Sequence, residues 1–169
     1  MKMRGILRIV FTSSLILLAC GLASAQRRII GSVCGDPTAK CRLASDFQPF
    51  ELAFDHGGPN SIISESKFFY AIILRSAKLS QDQSGCDNKF PEAERLEAQA
   101  LFPKNKVFAK RCDEPAQNYY TNVADNTTFL GVYAGLTLTE AKALLKKVES
   151  TGKFSGATIR RMKVGINGT

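Results

Sequence analysis

The order of strand-like and helix-like segments between residues 66 and 165 most constrains the fold of this chain. Four segments rich in aromatic and β-branched residues predict strands: residues 67–76, 106–111, 127–134 and 157–164. Two segments with the apolar period of an amphipathic helix stand between them, one at residues 91–102 and one that begins at Thr137. The predicted order is strand, helix, strand, strand, helix, strand.

The second helix carries the clearest local signals. Thr137 and Glu140 have the spacing of a capping box, in which the hydroxyl and the carboxylate each satisfy a free backbone N–H group. Gly152 stands where helices commonly end in a left-handed residue. The apolar stripe of this helix comprises Ala141, Leu144, Leu145 and Val148. One side of the helix is therefore expected to pack on a sheet.

Right-handed βαβ connections turn this order into a definite architecture. Such units close into a four-stranded antiparallel sheet with both helices on one face, so we expect an α+β, ferredoxin-like βαββαβ fold. These elements leave the opposite face of the sheet open. An open face must be solvated, covered or used for binding.

Residues 1–25 predict a secretory signal peptide. A basic start is followed by the mostly apolar residues 9–22 and by a small-x-small cleavage pattern at residues 23–25. The apolar run is too short to span a bilayer comfortably. We therefore expect an exported chain with three further parts: an N-terminal extension at 26–65, a main domain at 66–165 and a tail at 166–169.

Lipidation of Cys20 is the alternative to cleavage after residue 25. Residues 17–20 have the sequence Leu-Leu-Ala-Cys, which resembles a bacterial lipobox. The same cysteine also fits as a small apolar residue of the signal. Attachment to a membrane is expected only if Cys20 is lipidated.

Four cysteines follow the signal: Cys34, Cys41, Cys86 and Cys112. An even number in an exported chain predicts two disulfides, and the sequence leaves three pairings open. A metal site is not expected, because no Cys-x-x-Cys pair occurs and His56 is the only histidine. No other cofactor is expected.

The charge balance narrows the partners. Residues 1–25 contain three of the 23 basic residues and no acidic one, so 20 basic residues remain against 15 acidic ones, a net charge of +5. This mildly favours anionic partners such as wall polymers or membrane surfaces. No tract is densely basic, so nucleic acid is not an expected partner.

The sequence offers no constellation of residues for catalysis. His56 lies in the turn-like residues 55–60, where a solvated loop residue is expected. The candidate carboxylates are predicted on solvated helix faces, which does not suit a tuned general acid; they are Glu92, Glu94, Glu97 and Glu140. We therefore expect a binding protein and not an enzyme.

Residues 66–165 resemble the sporulation-related repeat (SPOR) domain family. The likeness is carried by FFYAIILRS in the first strand and by FLGVYAGLTLTEAKALLKKVESTGKFSGATIRRMKV at residues 129–164. Residues 75–78 (RSAK) stand where the family usually has a glycine and an aromatic residue. The resemblance implies a protein of the bacterial periplasm or cell envelope that binds peptidoglycan glycan strands through the open sheet face.

A sugar-binding sheet face needs flat aromatic rings and forked hydrogen-bond donors. Phe129 and Tyr133 flank Gly131 on the predicted open face and are the candidate stacking residues. The candidate donors are Arg75, Arg160 and Arg161.

Coverage of these rings by the N-terminal extension is the alternative. Phe50, Leu52 and Phe54 alternate with Glu51 and Ala53, which predicts a short strand with one apolar side. The second hypothesis for the function is a disulfide-stapled secreted or lipid-anchored protein that binds another protein.

Overall fold

The computed structural model describes residues 30–41, 47–57, 63–79, 89–111 and 118–167. The predicted signal peptide, Cys20, Cys86 and Cys112 lie outside these residues. The strands are β1 (Ile30–Gly31), β2 (Ile63–Ser66), β3 (Phe69–Lys78), β4 (Val107–Lys110), β5 (Asn118–Tyr120), β6 (Thr127–Tyr133), β7 (Thr158–Met162) and β8 (Val164–Asn167). The helices are α1 (Glu92–Leu101) and α2 (Leu138–Ser150).

Four of the strands form the main sheet, in the order β4-β6-β3-β7, and every neighbouring pair is antiparallel. Helix α1 packs against β4, and α2 packs against β3 and β7. These are the four strands and two helices expected from the sequence, with bounds shifted by a few residues. The α+β class predicted from the sequence is confirmed.

The helix side of the main sheet holds the first core. Alternate residues of a strand point to opposite faces, and Ile72, Leu130 and Val132 all point toward the helices. They pack with the predicted stripe of α2, of which Ala141 and Val148 are fully buried. Each such large apolar side chain contributes about 2 kcal/mol of burial free energy.

Both ends of α2 form as predicted. The Thr137 hydroxyl accepts a hydrogen bond from the Glu140 N–H group (3.3 Å), and the Glu140 carboxylate accepts one from the Thr137 N–H group (2.9 Å). The Glu140 carboxylate also accepts a hydrogen bond from the Thr137 hydroxyl (2.7 Å). This bond and those from the Thr137 and Leu136 N–H groups lower the pKa of the Glu140 carboxyl below its ordinary value, although slight desolvation acts against them. Gly152 follows the helix with a φ of 66°, the left-handed region in which glycine is favoured.

A second sheet, which was not predicted, has the order β1-β2-β8-β5. Strand β5 lies between the second and third expected strands, where no strand was expected, and β8 includes residues 166 and 167 of the expected tail. The pairs of β8 with β2 and β5 are antiparallel, whereas β1 and β2 are parallel. The expected βαββαβ arrangement thus leaves out half of the strands.

The face of the main sheet that was expected to be open is covered. Phe69, Ala71 and Ile73 of β3 point to this face and are buried. They pack in a second core with residues of the second sheet and of the N-terminal extension: Phe47, Leu52, Phe54, Tyr120 and Val164. Of the two alternatives for this face, the structure shows coverage by the N-terminal extension and not an open binding face, because apolar groups from distant parts of the chain remove it from water.

The extension also closes the β4 edge of the main sheet. The Ala109 N–H group donates to the carbonyl of Phe50 (2.9 Å), and the Lys106 N–H group donates to that of Gly35 (2.7 Å). Residues 50–54 do not form the expected continuous strand. Of these residues, Phe54 forms an isolated antiparallel β-bridge with Val33. Because these backbone N–H groups already donate hydrogen bonds to the extension, they are not available to pair with a strand of another chain.

A disulfide joins Cys34 to Cys41, with the Cα atoms 5.8 Å apart. This is one of the predicted disulfides. Between these cysteines, the Gly35 backbone lies on the ring of Tyr133, and a Cβ atom at Gly35 would be 2.1 Å from Cδ1 of that ring. Only glycine leaves room for this contact, so the loop between Cys34 and Cys41 packs directly on the end of β6.

Candidate functional site

Neither predicted stacking ring faces solvent on an open sheet. Phe129 is 1% exposed, and its ring centroid lies 5.7 Å from that of Phe108 and 5.3 Å from that of Tyr120. Tyr133 is half-buried under Gly35 and beside Phe69. Burial, together with the Glu140 carboxylate, raises the pKa of the Tyr133 phenol. Phe129 is a core residue, and its assignment as a glycan-stacking residue is corrected accordingly.

The three predicted arginine donors are dispersed. A β-bulge between Ile73 and Arg75 turns Arg75 to the helix side of the sheet. Arg160 points to the opposite side and donates to the Asn122 carbonyl (2.9 Å). Arg161 follows on the helix side, with its guanidinium carbon 4.0 Å from the ring centroid of Phe68. The five predicted residues therefore do not form one site.

A groove of about 590 Å³ lies on the helix side, between α1, β3 and the turn after α2. Among its lining residues are Arg75, Glu94, Leu101, Lys153 and Phe154. A guanidinium nitrogen of Arg75 lies 3.1 Å from a carboxylate oxygen of Glu94, and the Arg75 side chain is 55% exposed. The groove therefore combines an accessible ion pair with an apolar wall.

Sequence reasoning found Arg75 but missed its neighbours in the groove. Glu94 was assigned to a solvated helix face, and Phe154 to no site. Phe154 packs beside Phe102, with ring centroids 6.3 Å apart, so it connects the groove to the first core. The bulge that aims Arg75 at α1 has no clear sequence signature, because Leu74 and Arg75 suit an ordinary strand equally well.

A smaller cavity of about 240 Å³ lies between the disulfide, Phe47 and Lys106. The Lys106 ammonium donates to the Pro49 carbonyl (2.6 Å). Burial and the charge of Arg95 lower the pKa of Lys106 to about 8, although Glu92 acts in the other direction. The cavity lies below the range of about 300–1,000 Å³ typical of organic-ligand sites.

A buried ionic cluster joins α1 to the segment that follows β4. Glu92 accepts hydrogen bonds from Arg95 (2.9 Å) and from Arg111 (2.9 Å), whose side chains are 6% and 8% exposed. Arg95 also donates to the Val107 carbonyl (3.1 Å). Partial burial disfavours the charged carboxylate, but the bonds and charges of the two arginines outweigh it, so the pKa of Glu92 is lowered.

We expect Glu92→Gln to lower the free energy of unfolding at pH 7 by about 2 kcal/mol, because two largely buried guanidinium groups lose their counter-ion. Since the folded-state pKa of Glu92 is lowered, its ionic contribution is complete above the unfolded pKa, ordinarily near 4.5, and disappears as the pH falls through the folded value. Urea unfolding at pH 7 and at pH 3 measures both effects.

Glu97→Gln is the matched control for this prediction, because Glu97 is an exposed residue of the same helix. It should change stability by less than about 0.5 kcal/mol. Equal stabilities of the unaltered chain and Glu92→Gln at pH 7 would contradict the structural role of the cluster.

His56 is half-buried, and its ring lies against Phe47 and Phe54, at centroid distances of 6.1 and 6.3 Å. Across the described ranges, no three Cys, His, Asp or Glu residues are placed to hold a metal ion. No helix within them is long and apolar enough to cross a membrane.

The fold is that of an α+β protein with two packed sheets, and the helix-side groove is the larger of the two cavities described above. Comparisons with protein-family models, with curated proteins and with solved structures found no match to this chain.

Proposed function

We propose that this chain is a non-catalytic, exported binding module of the bacterial cell envelope, and that it binds peptidoglycan glycan strands in the helix-side groove. The resemblance of residues 66–165 to the SPOR family supports the class of ligand. Burial of the opposite sheet face supports the groove as the place of binding, because the rings expected to contact sugars lie in a core.

The Arg75–Glu94 pair is the observation that carries this proposal. A guanidinium offers a planar fork of donors, and a carboxylate accepts hydrogen bonds from hydroxyl groups. A glycan strand presents both hydroxyl and carboxyl groups. Leu101 and Phe154 contribute apolar surface beside this pair, against which the C–H faces of sugar rings can pack.

The size of the groove suits the same ligand. Sites for organic ligands commonly have volumes of about 300–1,000 Å³, and the groove has about 590 Å³. The lining balances two cations, Arg75 and Lys153, against the two carboxylates of Glu94 and Glu97, so the groove offers both donors and acceptors to the hydroxyl groups of a sugar.

Arg75→Ala is expected to weaken glycan binding about tenfold, because the loss of a charged hydrogen bond costs about 1.5 kcal/mol. Binding is measured by co-sedimentation of the full chain with sacculi from which an amidase has removed the stem peptides. Arg160→Ala is the matched control, since it removes the same charge from the other side of the sheet. That variant should bind as the unaltered chain does.

Two results would overturn the proposal. The unaltered chain would remain in the supernatant with treated sacculi, or Arg160→Ala would weaken binding as strongly as Arg75→Ala. Thermal unfolding of both variants establishes that a loss of binding is not a loss of folding. Retention by sacculi with intact stem peptides but not by treated sacculi would show that the ligand is the peptide and not the glycan.

A further inference from the structure

Three of the five large apolar side chains exposed in the described residues lie at one end of the molecule. They are Phe68, Leu136 and Leu138, which are 40%, 57% and 44% exposed and are called here the Phe68 patch. The backbone brings them to the same end, because the Tyr70 N–H group donates to the Gly135 carbonyl (2.9 Å). The start of β3 therefore meets the N-terminus of α2.

Cations surround the Phe68 patch. The Arg161 guanidinium carbon lies 4.0 Å from the Phe68 ring centroid, and the Lys163 nitrogen lies 4.9 Å from it. Lys142 is exposed one helical turn beyond Leu138, on the same side of α2. The patch thus has the composition of an interfacial surface, with apolar groups bordered by positive charges.

Two carboxylates stand at the same end, and both have local partners. Glu65 binds the Lys163 ammonium (2.7 Å), and Glu140 closes the capping box with Thr137. Lys67 is also exposed there. Among the described residues, this end thus carries the cations Lys67, Lys142, Arg161 and Lys163, whereas Glu65 and Glu140 are both engaged locally.

The chain enters the described structure beside this patch. Strand β1 pairs with Glu65 and Ser66, and the Lys67 N–H group donates to the Gly31 carbonyl (2.9 Å). The mostly apolar residues 9–22 precede this entry in the sequence. The ten residue-to-residue steps from Cys20 to Ile30 span at most about 35 Å, so an N-terminal membrane attachment would hold the Phe68 patch close to the bilayer.

We propose that the Phe68 patch docks this protein on an anionic lipid surface. The phenyl and leucyl side chains enter the headgroup region, and the surrounding ammonium and guanidinium groups meet lipid phosphates. The groove residues Arg75 and Glu94 take no part, so this inference does not depend on glycan binding.

Co-sedimentation with vesicles tests the proposal. The full chain is expressed in bacteria, its N-terminus is determined by mass spectrometry, and it is mixed with phosphatidylglycerol–phosphatidylethanolamine vesicles or with phosphatidylcholine vesicles. We expect binding to the anionic vesicles, weakened when NaCl is raised from about 0.05 to about 0.5 M. The triple variant Phe68→Ser, Leu136→Ser, Leu138→Ser should bind at least about tenfold more weakly.

Leu96→Ser is the matched control, because Leu96 is 53% exposed on α1, away from the patch. It should bind as the unaltered chain does. If the triple variant fails to fold, Lys142→Glu with Arg161→Glu replaces it, and a similar loss is expected from the reversed charge.

Several results would overturn lipid docking. The first is an absence of binding to anionic vesicles, and the second is equal binding to both kinds of vesicle. The third is unchanged binding of the folded triple variant, a result that would assign membrane attachment to a lipidated N-terminus alone. A dimer that the triple variant converts to a monomer, without vesicle binding by the unaltered chain, would make the patch a self-association surface.

Discussion

Phe129→Ala is expected to lower the free energy of unfolding by about 4 kcal/mol, because it removes a large ring from a closed core. The Phe129 side chain is 1% exposed and packs against Phe108 and Tyr120. These neighbours belong to the main sheet and to the second sheet, so the cavity lies where the two sheets meet. Rigid strands on both sides limit how far the core can collapse.

Urea unfolding followed by circular dichroism measures this effect. Phe68→Ala is the matched control, since the same change at a ring that is 40% exposed should cost less than about 1 kcal/mol. A similarly small loss for Phe129→Ala would mean that the covered face opens readily. In that case the Phe129 ring could reach a glycan and stack on it, as the sequence predicted.

A fragment restricted to residues 66–165 is expected not to fold. It lacks Leu52 and Phe54, which are fully buried against the main sheet, and most of the second sheet. Leu52 and Phe54 each contribute about 2 kcal/mol of burial free energy, and their loss also exposes Phe69, Phe108 and Phe129. Most of the net stability of a small domain, about 5–15 kcal/mol, is then lost.

Thermal unfolding and binding of a hydrophobic dye test the fragment against residues 26–169. We expect no cooperative transition and strong dye binding for the fragment. A cooperative transition at the midpoint of the longer chain would show that the extension is dispensable and that residues 66–165 form an independent domain.

Local patterns were enough to predict the helix-side half of the molecule. The capping box at Thr137 and Glu140, the left-handed Gly152 and the alternation around Leu130 and Val132 depend on residues close in sequence. Such features survive in any tertiary context that buries the apolar stripe of α2. The α+β class followed from them.

The other half depends on contacts between residues far apart in the chain. Strand β8 gains its hydrogen bonds from β2 and β5, roughly 100 and 46 residues earlier by the pairs Glu65–Gly165 and Tyr119–Gly165. Short strands of this kind have little pattern of their own, because their stability comes from their partners. The second sheet could not be read from residues 118–120 and 164–167 alone.

The candidate site was predicted only in part, for the same reason. Arg75 was identified as an exposed donor, but its side of the sheet is set by the bulge after Ile73. Phe129 was placed on the correct face, yet Leu52 and Phe54 decide whether that face meets water. Alternation fixes the direction of a side chain, and it does not reveal what packs on top.

The sequence by itself determined the helices, the strands of the main sheet and the face to which most residues of these strands point, because these follow from local sterics and apolar period. Only the tertiary structure decided that the face carrying Phe129 is a core and that Arg75 meets Glu94 in a groove. The reason is that burial and ion pairing are set by segments that meet only after folding, and their free energies depend on the water that those segments exclude.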